Sequence, residues 1–213
     1  MSTIKQGILG GFSGKVGTVI GASWKGISYM RGIAATVTNP RTPAQLEQRA
    51  KFATAIKFLQ PLTPFLRVGY KNQAIQMSAF NAAMSYTVKN ALSGVYPNYV
   101  IDYSKAVVTR GTLPGALNPD IDATTPSRVD FTWENNPLDT NAMPDDKVLA
   151  VVYNALRGQV VTVVGGNTRA SGSQSIILPA SFTGDDVQCF IGFQNASQSV
   201  ISNSQFVGEI VVT

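Results

Sequence analysis

The sequence contains no histidine and only one cysteine among its 213 residues. Histidine is the commonest general base and the commonest metal ligand, so its absence argues against whole classes of hydrolytic chemistry. The single thiol, Cys189, lies in an apolar alternating run from Val187 to Phe193, where we expect a buried core residue. One cysteine allows neither an intrachain disulfide nor a cysteine-based zinc site. The composition therefore predicts a protein that is not an enzyme and that has no metal or small-molecule cofactor.

Long hydrophobic runs are also missing. Lys5, Lys15 and Lys25 interrupt the extended apolar region near the start of the chain. A membrane-crossing helix needs about 20 predominantly apolar residues, so we expect no transmembrane span. Gly-rich sequence, rather than a leucine-rich core with a cleavage site, follows Met1 to Gln6, so no secretory signal is visible. We expect synthesis in the cytoplasm and leave open later incorporation into a virion or an extracellular assembly.

Acidic residues are scarce in the first half of the chain. Residues 1–105 carry twelve lysines or arginines but only two acids, Glu47 and Asp102, which gives a net charge of +10. Residues 106–213 carry five basic and ten acidic residues, a net charge of −5. This asymmetry favours either an anionic partner for the first half, such as nucleic acid or a membrane surface, or head-to-tail pairing between copies. Two solvated surfaces of opposite sign are the third alternative.

Glycine is abundant near the N-terminus, with eight glycines in the 26 residues from Gly7 to Gly32. Each interior glycine costs a helix about 1 kcal/mol relative to alanine, so a helix is disfavoured here. We predict a basic arm over residues 1–41, with strands Val16–Trp24 and Ile27–Gly32 around a Lys25-Gly26 turn. Glycine-rich strands bury little surface of their own, so the arm should pack against the same subunit or a neighbouring one.

The segment Asn39-Pro40-Arg41-Thr42-Pro43-Ala44-Gln45 predicts the start of a helix. Thr42 suits the N-cap, proline suits the first helical position, and Gln45 completes a capping box. The predicted apolar face consists of Leu46, Ala50, Ala53, Ile56 and Leu59, with Phe52 beside it. Pro61 and Pro64 should end this helix.

Further helical segments are predicted from Phe65, and from Ser78 to a terminator at Gly94. Residues 42–98 therefore form a predicted helical region.

The periodicity of apolar residues changes from about 3.6 to 2 after Tyr96-Pro97-Asn98, which predicts a β domain over residues 99–213. Its predicted strands are Lys105–Leu113, Arg128–Glu134, Lys147–Asn154, Gln159–Val164, Gln174–Leu178, Val187–Asn195 and Gln205–Val212. Seven short alternating strands are typical of an immunoglobulin-like sandwich, with a small barrel as the alternative. The predicted fold class is α+β: an N-terminal Gly-rich hairpin and helices, followed by an antiparallel immunoglobulin-like β-sandwich. Its predicted buried residues are Trp133, Tyr153, Cys189 and Ile191.

Residues 128–213 resemble a fibronectin type III domain. The resemblance is carried by Trp133, Tyr153, Ile177-Leu178-Pro179, Gly184-Asp185-Asp186-Val187 and the strand Cys189 to Asn195. The position often held by that fold's corner tyrosine is occupied by Phe182 or Asp185. The resemblance implies a scaffold and no particular activity.

The whole chain also resembles an uncharacterised family of proteins from Bacteroidetes. The matching pieces run from Gly7 to Gly17, then Trp24-Lys25-Gly26 with Tyr29 and Arg31, then the Asn39 to Phe52 region, and Met77 to Asn81. This resemblance implies little about function. The Asn-Pro-Arg-Thr-Pro-Ala-Gln piece beside an immunoglobulin-like domain is also similar to pieces of phage-type structural proteins.

Three patterns in the sequence can be compared with motifs of known chemical function. A phosphate loop fails, because Leu9 and Val16 occupy the positions of its first glycine and its hydroxyl residue. The acidic pairs Asp145-Asp146 and Asp185-Asp186 lie in turn-like contexts where solvated aspartates are expected. Aromatic and basic residues interleave in the first half, as single-stranded nucleic-acid binding would need: Phe12, Lys15, Trp24, Lys25, Tyr29, Arg31, Arg41 and Lys51.

We therefore predict a structural, self-assembling subunit that forms a homo-oligomer, in a ring, a filament or a phage-like particle. The arm is expected to dock on a neighbouring copy, with these residues meeting across the interface: Lys15, Trp24, Lys25, Tyr29 and Arg31 on the arm, and Asp145, Asp146, Asp185 and Asp186 on the sandwich. The alternative is a module that binds nucleic acid or an anionic surface through the basic half, to which Arg41 would contribute. An enzyme that uses carboxylates alone is the third hypothesis.

Overall fold

The computed structural model describes residues 3–4, 11–36, 39, 41–135 and 141–213. The glycines at 7 and 10, and Pro40, lie outside these residues. The chain divides into two units, residues 1–45 and residues 46–213. Helices and antiparallel strands are both present, which confirms the mixed α+β class. The predicted segments 1–41, 42–98 and 99–213 stay a prediction about which parts fold independently.

The first unit contains an antiparallel sheet of four strands in sequence order. They are β1 (Thr3–Ile4), β2 (Phe12–Val16), β3 (Val19–Trp24) and β4 (Ile27–Gly32). The β3–β4 turn has positive φ angles at Lys25 (46°) and Gly26 (85°), as a type I′ turn requires, which confirms the predicted hairpin. The predicted strand Val16–Trp24 is wrong in its first residues, because Gly17 and Thr18 form a turn between β2 and β3.

Glycine has a steric role in this sheet at Gly21. A Cβ atom there would lie 2.2 Å from the Phe12 carbonyl oxygen and 2.5 Å from Cδ2 of its ring. Gly21 is buried as a result of this close approach. The absence of a side chain therefore lets the Phe12 ring lie directly over β3.

The helices are α1 (Pro43–Leu59), α2 (Thr63–Gly69) and α3 (Ala79–Asn90). The predicted start at Pro43 is confirmed, and the Thr42 amide donates to Gln45 Oε1 over 3.4 Å, which is one half of the capping box. The predicted terminator at Gly94 is wrong. Strand β5 (Leu92–Val95) follows α3 and pairs with β6 (Asn98–Ile101), and Gly94 adopts a φ of 89° inside this hairpin.

The apolar face predicted for α1 is wrong at Ala53 and Ile56, which are exposed, and correct at Leu59, which is buried. The buried residues of this helix are Ala55, Phe58 and Leu59. Ile56 is exposed, and the side chain of Phe52 is 44% exposed. With Leu62, which follows the helix, these buried residues form a row at spacings of three and four. This row packs onto the larger β-sheet, whose strands are given below.

Seven further strands form two antiparallel sheets. The strands are β7 (Leu117–Asp122), β8 (Arg128–Glu134), β9 (Lys147–Asn154), β10 (Gln159–Thr168), β11 (Ser173–Ile177), β12 (Asp186–Gln194) and β13 (Gln205–Val211). Their order is β10-β9-β12-β13 in the larger sheet and β11-β8-β7 in the smaller one. Six of the seven predicted strands are confirmed, and the bounds of β8 and β9 agree with the prediction.

The predicted strand Lys105–Leu113 is wrong. Two of its amides bond to polar side chains and not to a strand: Val108 N donates to Ser204 Oγ (2.8 Å) and Gly111 N donates to Asn203 Oδ1 (3.1 Å). Leu113 forms an isolated bridge with Ser202. These long-range side-chain partners cannot be deduced from the local alternation of apolar and polar residues. The seventh strand is β7 instead.

Strand β9 is buried on both faces. Val148, Ala150 and Val152 share a core with Phe131 and Trp133 of the smaller sheet. The alternate side chains of β9 belong to a second core, which they share with the helices: Leu149, Val151 and Tyr153. The larger sheet therefore has apolar contacts on both of its faces, which explains the near-continuous apolar run of β9.

The four predicted buried residues, Trp133, Tyr153, Cys189 and Ile191, are confirmed as buried. Within the described ranges, none of the helices combines the length and the hydropathy needed to cross a bilayer.

Cys189 is expected to be unreactive in the folded protein. Its side chain is fully buried, and burial raises the pKa of the thiol to about 12. At pH 8 the thiolate fraction is then roughly a thousandfold below that of a free cysteine, whose pKa is about 8.5. A thiol reagent such as DTNB should label the protein only after urea is added. Rapid labelling of the native protein would contradict the placement of Cys189 in this core.

Candidate docking interface on the N-terminal hairpin

The register of the first sheet places predicted site residues on one face. Lys15 pairs with Ile20, which also pairs with Arg31, while Ala22 pairs with Tyr29 and Trp24 pairs with Ile27. Directly opposed residues share a face, as do residues two apart along a strand. We call this surface the hairpin face; its residues are Lys15, Ile20, Ala22, Trp24, Ile27, Tyr29 and Arg31. The structure thus brings together Lys15, Trp24, Tyr29 and Arg31.

The centre of the hairpin face is apolar and open to solvent. The exposed fractions are 55% for Trp24, 59% for Ile27 and 46% for Tyr29. Large apolar side chains that are exposed next to one another mark interaction sites more often than isolated ones do. Sequence reasoning missed Ile27, although its spacing of two from Tyr29 was a readable signal.

Positive charges border this apolar centre. Lys15 and Arg31 are exposed beside Ile20, at one end of the hairpin face. Lys25 lies in the turn at the other end. Arg41 is exposed just before α1 and is not part of the four-stranded sheet. The arrangement is therefore an aromatic and aliphatic strip with cationic groups at both ends.

Three of the four predicted acidic residues retain some exposure. Asp145 and Asp186 are exposed, and Asp185 is partly buried. Asp185 accepts hydrogen bonds from Arg157 Nε and from Asn154 Nδ2, the latter over 2.8 Å. The bond from Arg157 holds the pKa of the Asp185 carboxyl below its usual range. Asp185 thus has a cation of its own chain as partner, which leaves Asp145 and Asp186 as the more accessible carboxylates.

The expectation of a solvated Asp146 is wrong. Its side chain is buried and its Oδ2 accepts from Arg169 Nε over 3.1 Å and from the Met143 amide over 3.1 Å. Burial raises the pKa of the Asp146 carboxyl, although the Arg169 guanidinium opposes this. Asp146 is therefore part of the interior. Sequence reasoning missed Arg169, because no local pattern connects it to an aspartate 23 residues away.

The hairpin face carries groups that can contact a partner. Its polar groups are an amine, a guanidinium, an indole and a phenol, and no carboxylate accompanies them. Among the described residues, no group of three or more acidic or cysteine side chains converges as a metal site would require. Aromatic rings beside cations can pack against apolar side chains, against carboxylates or against nucleic-acid bases and phosphates.

Comparison with known proteins gives a family and no activity. No curated protein matches the chain. A structure of the twitchin kinase region from C. elegans (Fn31-NL-kin-CRD-Ig26) is similar over 48% of this chain and 17% of that chain, with 14% identity and a TM-score of 0.36. The resemblance to Bacteroidetes proteins stays a prediction about origin. Residues 11–208 match the family of unknown function DUF6266, and because this match spans most of the chain, the protein belongs to that family.

Proposed function

We propose that this protein is a non-enzymatic structural subunit that associates with further copies of itself through the hairpin face. The observation that carries the proposal is the exposure of Trp24, Ile27 and Tyr29 side by side on a small sheet. Such an interface joins two different surfaces and therefore builds a ring, a filament or a particle. The subunit would be made in the cytoplasm, and a virion or an extracellular assembly is its proposed destination.

The apolar strip should supply most of the free energy of docking. Full burial of a large apolar side chain contributes about 1.5–3 kcal/mol, whereas an exposed ion pair contributes about 0–1 kcal/mol. Lys15 and Arg31 would instead orient the partner and increase the rate of encounter. Asp145 and Asp186 are the carboxylates we propose that they meet on the neighbouring copy, because both are exposed.

We also infer that residues 99–213 form a fibronectin-type sandwich that acts as the scaffold of each subunit. Support comes from the strand orders β10-β9-β12-β13 and β11-β8-β7, which divide seven strands into sheets of four and three. Residues of both sheets contribute to one apolar core. This division is the one expected of the fibronectin and immunoglobulin class.

The self-association hypothesis predicts that Trp24→Ser combined with Tyr29→Ser converts the oligomer to monomer. The two rings provide the largest apolar area on the hairpin face, so their loss should remove most of the docking free energy. Size-exclusion chromatography with light scattering measures the mass. Leu156→Ser is the matched control, because this side chain is 80% exposed and lies outside the hairpin face. A wild-type protein that is monomeric at every concentration and salt would contradict the hypothesis.

Charge reversal tests the proposed acidic partners. Lys15→Glu with Arg31→Glu, and separately Asp145→Lys with Asp186→Lys, should each lower the oligomer mass at about 0.1 M salt, where charges are screened beyond roughly 10 Å. Mixing the two variants should restore part of the association if these surfaces meet. Normal association of both variants would exclude these four residues as partners.

A second candidate function is binding to nucleic acid or to another anionic surface. The specific observation in its favour is that two aromatic rings and two cations share the hairpin face. Trp24 is the exposed one of the two tryptophans, since Trp133 is buried, so indole fluorescence reports on this surface. Quenching by oligo(dT) that weakens linearly with the logarithm of salt concentration would favour this function over self-association.

A further inference from the structure

An open pocket of 420 Å³ lies among the helices of the second unit. Its volume is in the range of small-molecule sites. The residues that matter for its chemistry are Tyr70, Gln73, Tyr86, Lys89, Asn90 and Arg110. Two of these are cations, and the described residues that line the pocket include no carboxylate.

Arg110 is held in place by its backbone and by an aromatic ring. Its amide donates to the Gly69 carbonyl at the end of α2 over 2.8 Å, and its guanidinium carbon lies 5.1 Å from the centre of the Tyr86 ring. Gly69 allows this approach, because a Cβ atom there would lie 2.6 Å from the Val108 carbonyl oxygen. The guanidinium thus packs over a ring of α3, and this contact reduces the entropy that it loses when it binds a ligand.

The positive charges of the pocket have no acidic partner among the residues that the structure describes. Across the described ranges, neither Lys89 nor Arg110 forms an ion pair with a carboxylate. Lys89 is in the last turn of α3. Two cations without a counter-ion in one concave site raise the local positive potential and attract an anion.

Some neutral polar groups of the pocket already form hydrogen bonds within the protein, and others do not. The Tyr70 hydroxyl donates to the Val107 carbonyl over 2.8 Å, and Asn90 Nδ2 donates to the Tyr86 carbonyl over 2.9 Å. The side-chain amide of Gln73 and the hydroxyl of Tyr86, by contrast, form no hydrogen bond with the described residues. They can therefore complete the coordination of a polar ligand beside the two cations.

We propose that this pocket binds a small phosphate monoester. The planar guanidinium of Arg110 can bond two phosphate oxygens at once, and Lys89 adds a second positive charge for a group that carries nearly two negative ones. A monocarboxylate would neutralise only one of the two cations. The proposal is independent of the hairpin face, because the described residues that line the pocket all belong to the second unit.

The test is calorimetric titration of the full chain with inorganic phosphate, with phenyl phosphate and with acetate, in low salt. Wild type should bind both phosphates saturably with one site per chain, and acetate at least tenfold more weakly. Arg110→Gln combined with Lys89→Gln should weaken phosphate binding by tenfold or more, since charge-assisted hydrogen bonds are lost. Lys57→Gln with Arg67→Gln removes the same charge from exposed positions outside the pocket and should leave the affinity unchanged.

Lys89→Gln alone, at an exposed position near the end of α3, guards against loss of folding and should weaken binding by about threefold. Absence of saturable phosphate binding to wild type would overturn the proposal. Equal weakening by the pocket variant and by the control variant would also overturn it, because it would show attraction to net charge alone. Neither result depends on the oligomer mass, so failure of this site is distinguishable from failure of the hairpin face.

Discussion

Replacing Phe58 with alanine is expected to lower the free energy of unfolding by about 3–5 kcal/mol. Phe58 is buried where α1 packs on the larger sheet, with its ring edge-on to Tyr103 at 5.8 Å and to Tyr153 at 5.2 Å. The centre of the Phe190 ring lies 6.5 Å from that of Phe58. Truncation would remove these ring contacts and leave a cavity in the core between α1 and the sheet. Urea denaturation followed by circular dichroism measures the loss.

Phe52→Ala is the matched control for this prediction, because it removes the same ring from the same helix at a position that is 44% exposed. We expect it to lower the free energy of unfolding by about 1 kcal/mol, since full burial of a phenylalanine side chain contributes about 1.5–3 kcal/mol. A large loss for Phe52→Ala with a small one for Phe58→Ala would mean that α1 packs through its other face. The pair of variants therefore tests the orientation of the helix as well as the size of the core.

Local signals were sufficient to predict the start of α1 and most of the strands. Thr42, Pro43 and Gln45 define a helix start through bonds between near neighbours, so a short window of sequence contains the whole cause. Strand β8 alternates buried and exposed side chains, and that period of two is visible in its sequence. The Lys25-Gly26 turn was predictable for the same reason, since a type I′ turn depends on two residues.

Features that depend on distant partners were not predictable. The face of α1 is set by the sheet beneath it, and apolar residues such as Phe52 and Ile56 occur on the other side of the helix as well. Residues 105–113 alternate like a strand, yet Ser204 binds the amide of Val108 from 96 positions away. The predicted end of α3 lay too far along the chain, because residues 92–95 pair with β6 as strand β5 and do not continue the helix.

The candidate site also contains residues whose position local sequence predicts and residues whose position depends on distant partners. Lys15, Trp24, Tyr29 and Arg31 share a face because strand pairing follows directly from two short turns, so their proximity could be predicted. The burial of Asp146 could not be predicted from the residues next to it in the sequence. Its acidic, turn-like surroundings indicate a solvated side chain, whereas its burial depends on Arg169 in a different loop.

Replacing Arg169 with methionine is expected to destabilise the protein by about 3–5 kcal/mol, because the buried Asp146 would lose the cation that pairs with it. Arg169 is fully buried, and its guanidinium donates to the carbonyls of Gly115 (2.7 Å) and Pro114 (2.8 Å) as well as to Asp146. Its guanidinium carbon also lies 3.8 Å from the centre of the Phe193 ring. The side chain therefore ties the 114–115 segment to the loop that precedes β9. Chemical denaturation at pH 7 measures the loss.

The dependence on pH distinguishes a lost ion pair from lost packing. In the Arg169→Met variant Asp146 keeps its burial, which raises the pKa of its carboxyl, and no longer has the guanidinium that lowers it. A carboxyl whose pKa in the folded state lies above its unfolded value destabilises the protein as pH rises through that range and harms it least in acid. The deficit of the variant relative to wild type should therefore shrink between pH 7 and pH 4. Asp146→Leu added to Arg169→Met removes the unpaired charge and should recover part of the loss at pH 7. A deficit that is equal at both pH values and is not reduced in the double variant would show that Arg169 acts through its packing on Phe193 and its carbonyl bonds alone.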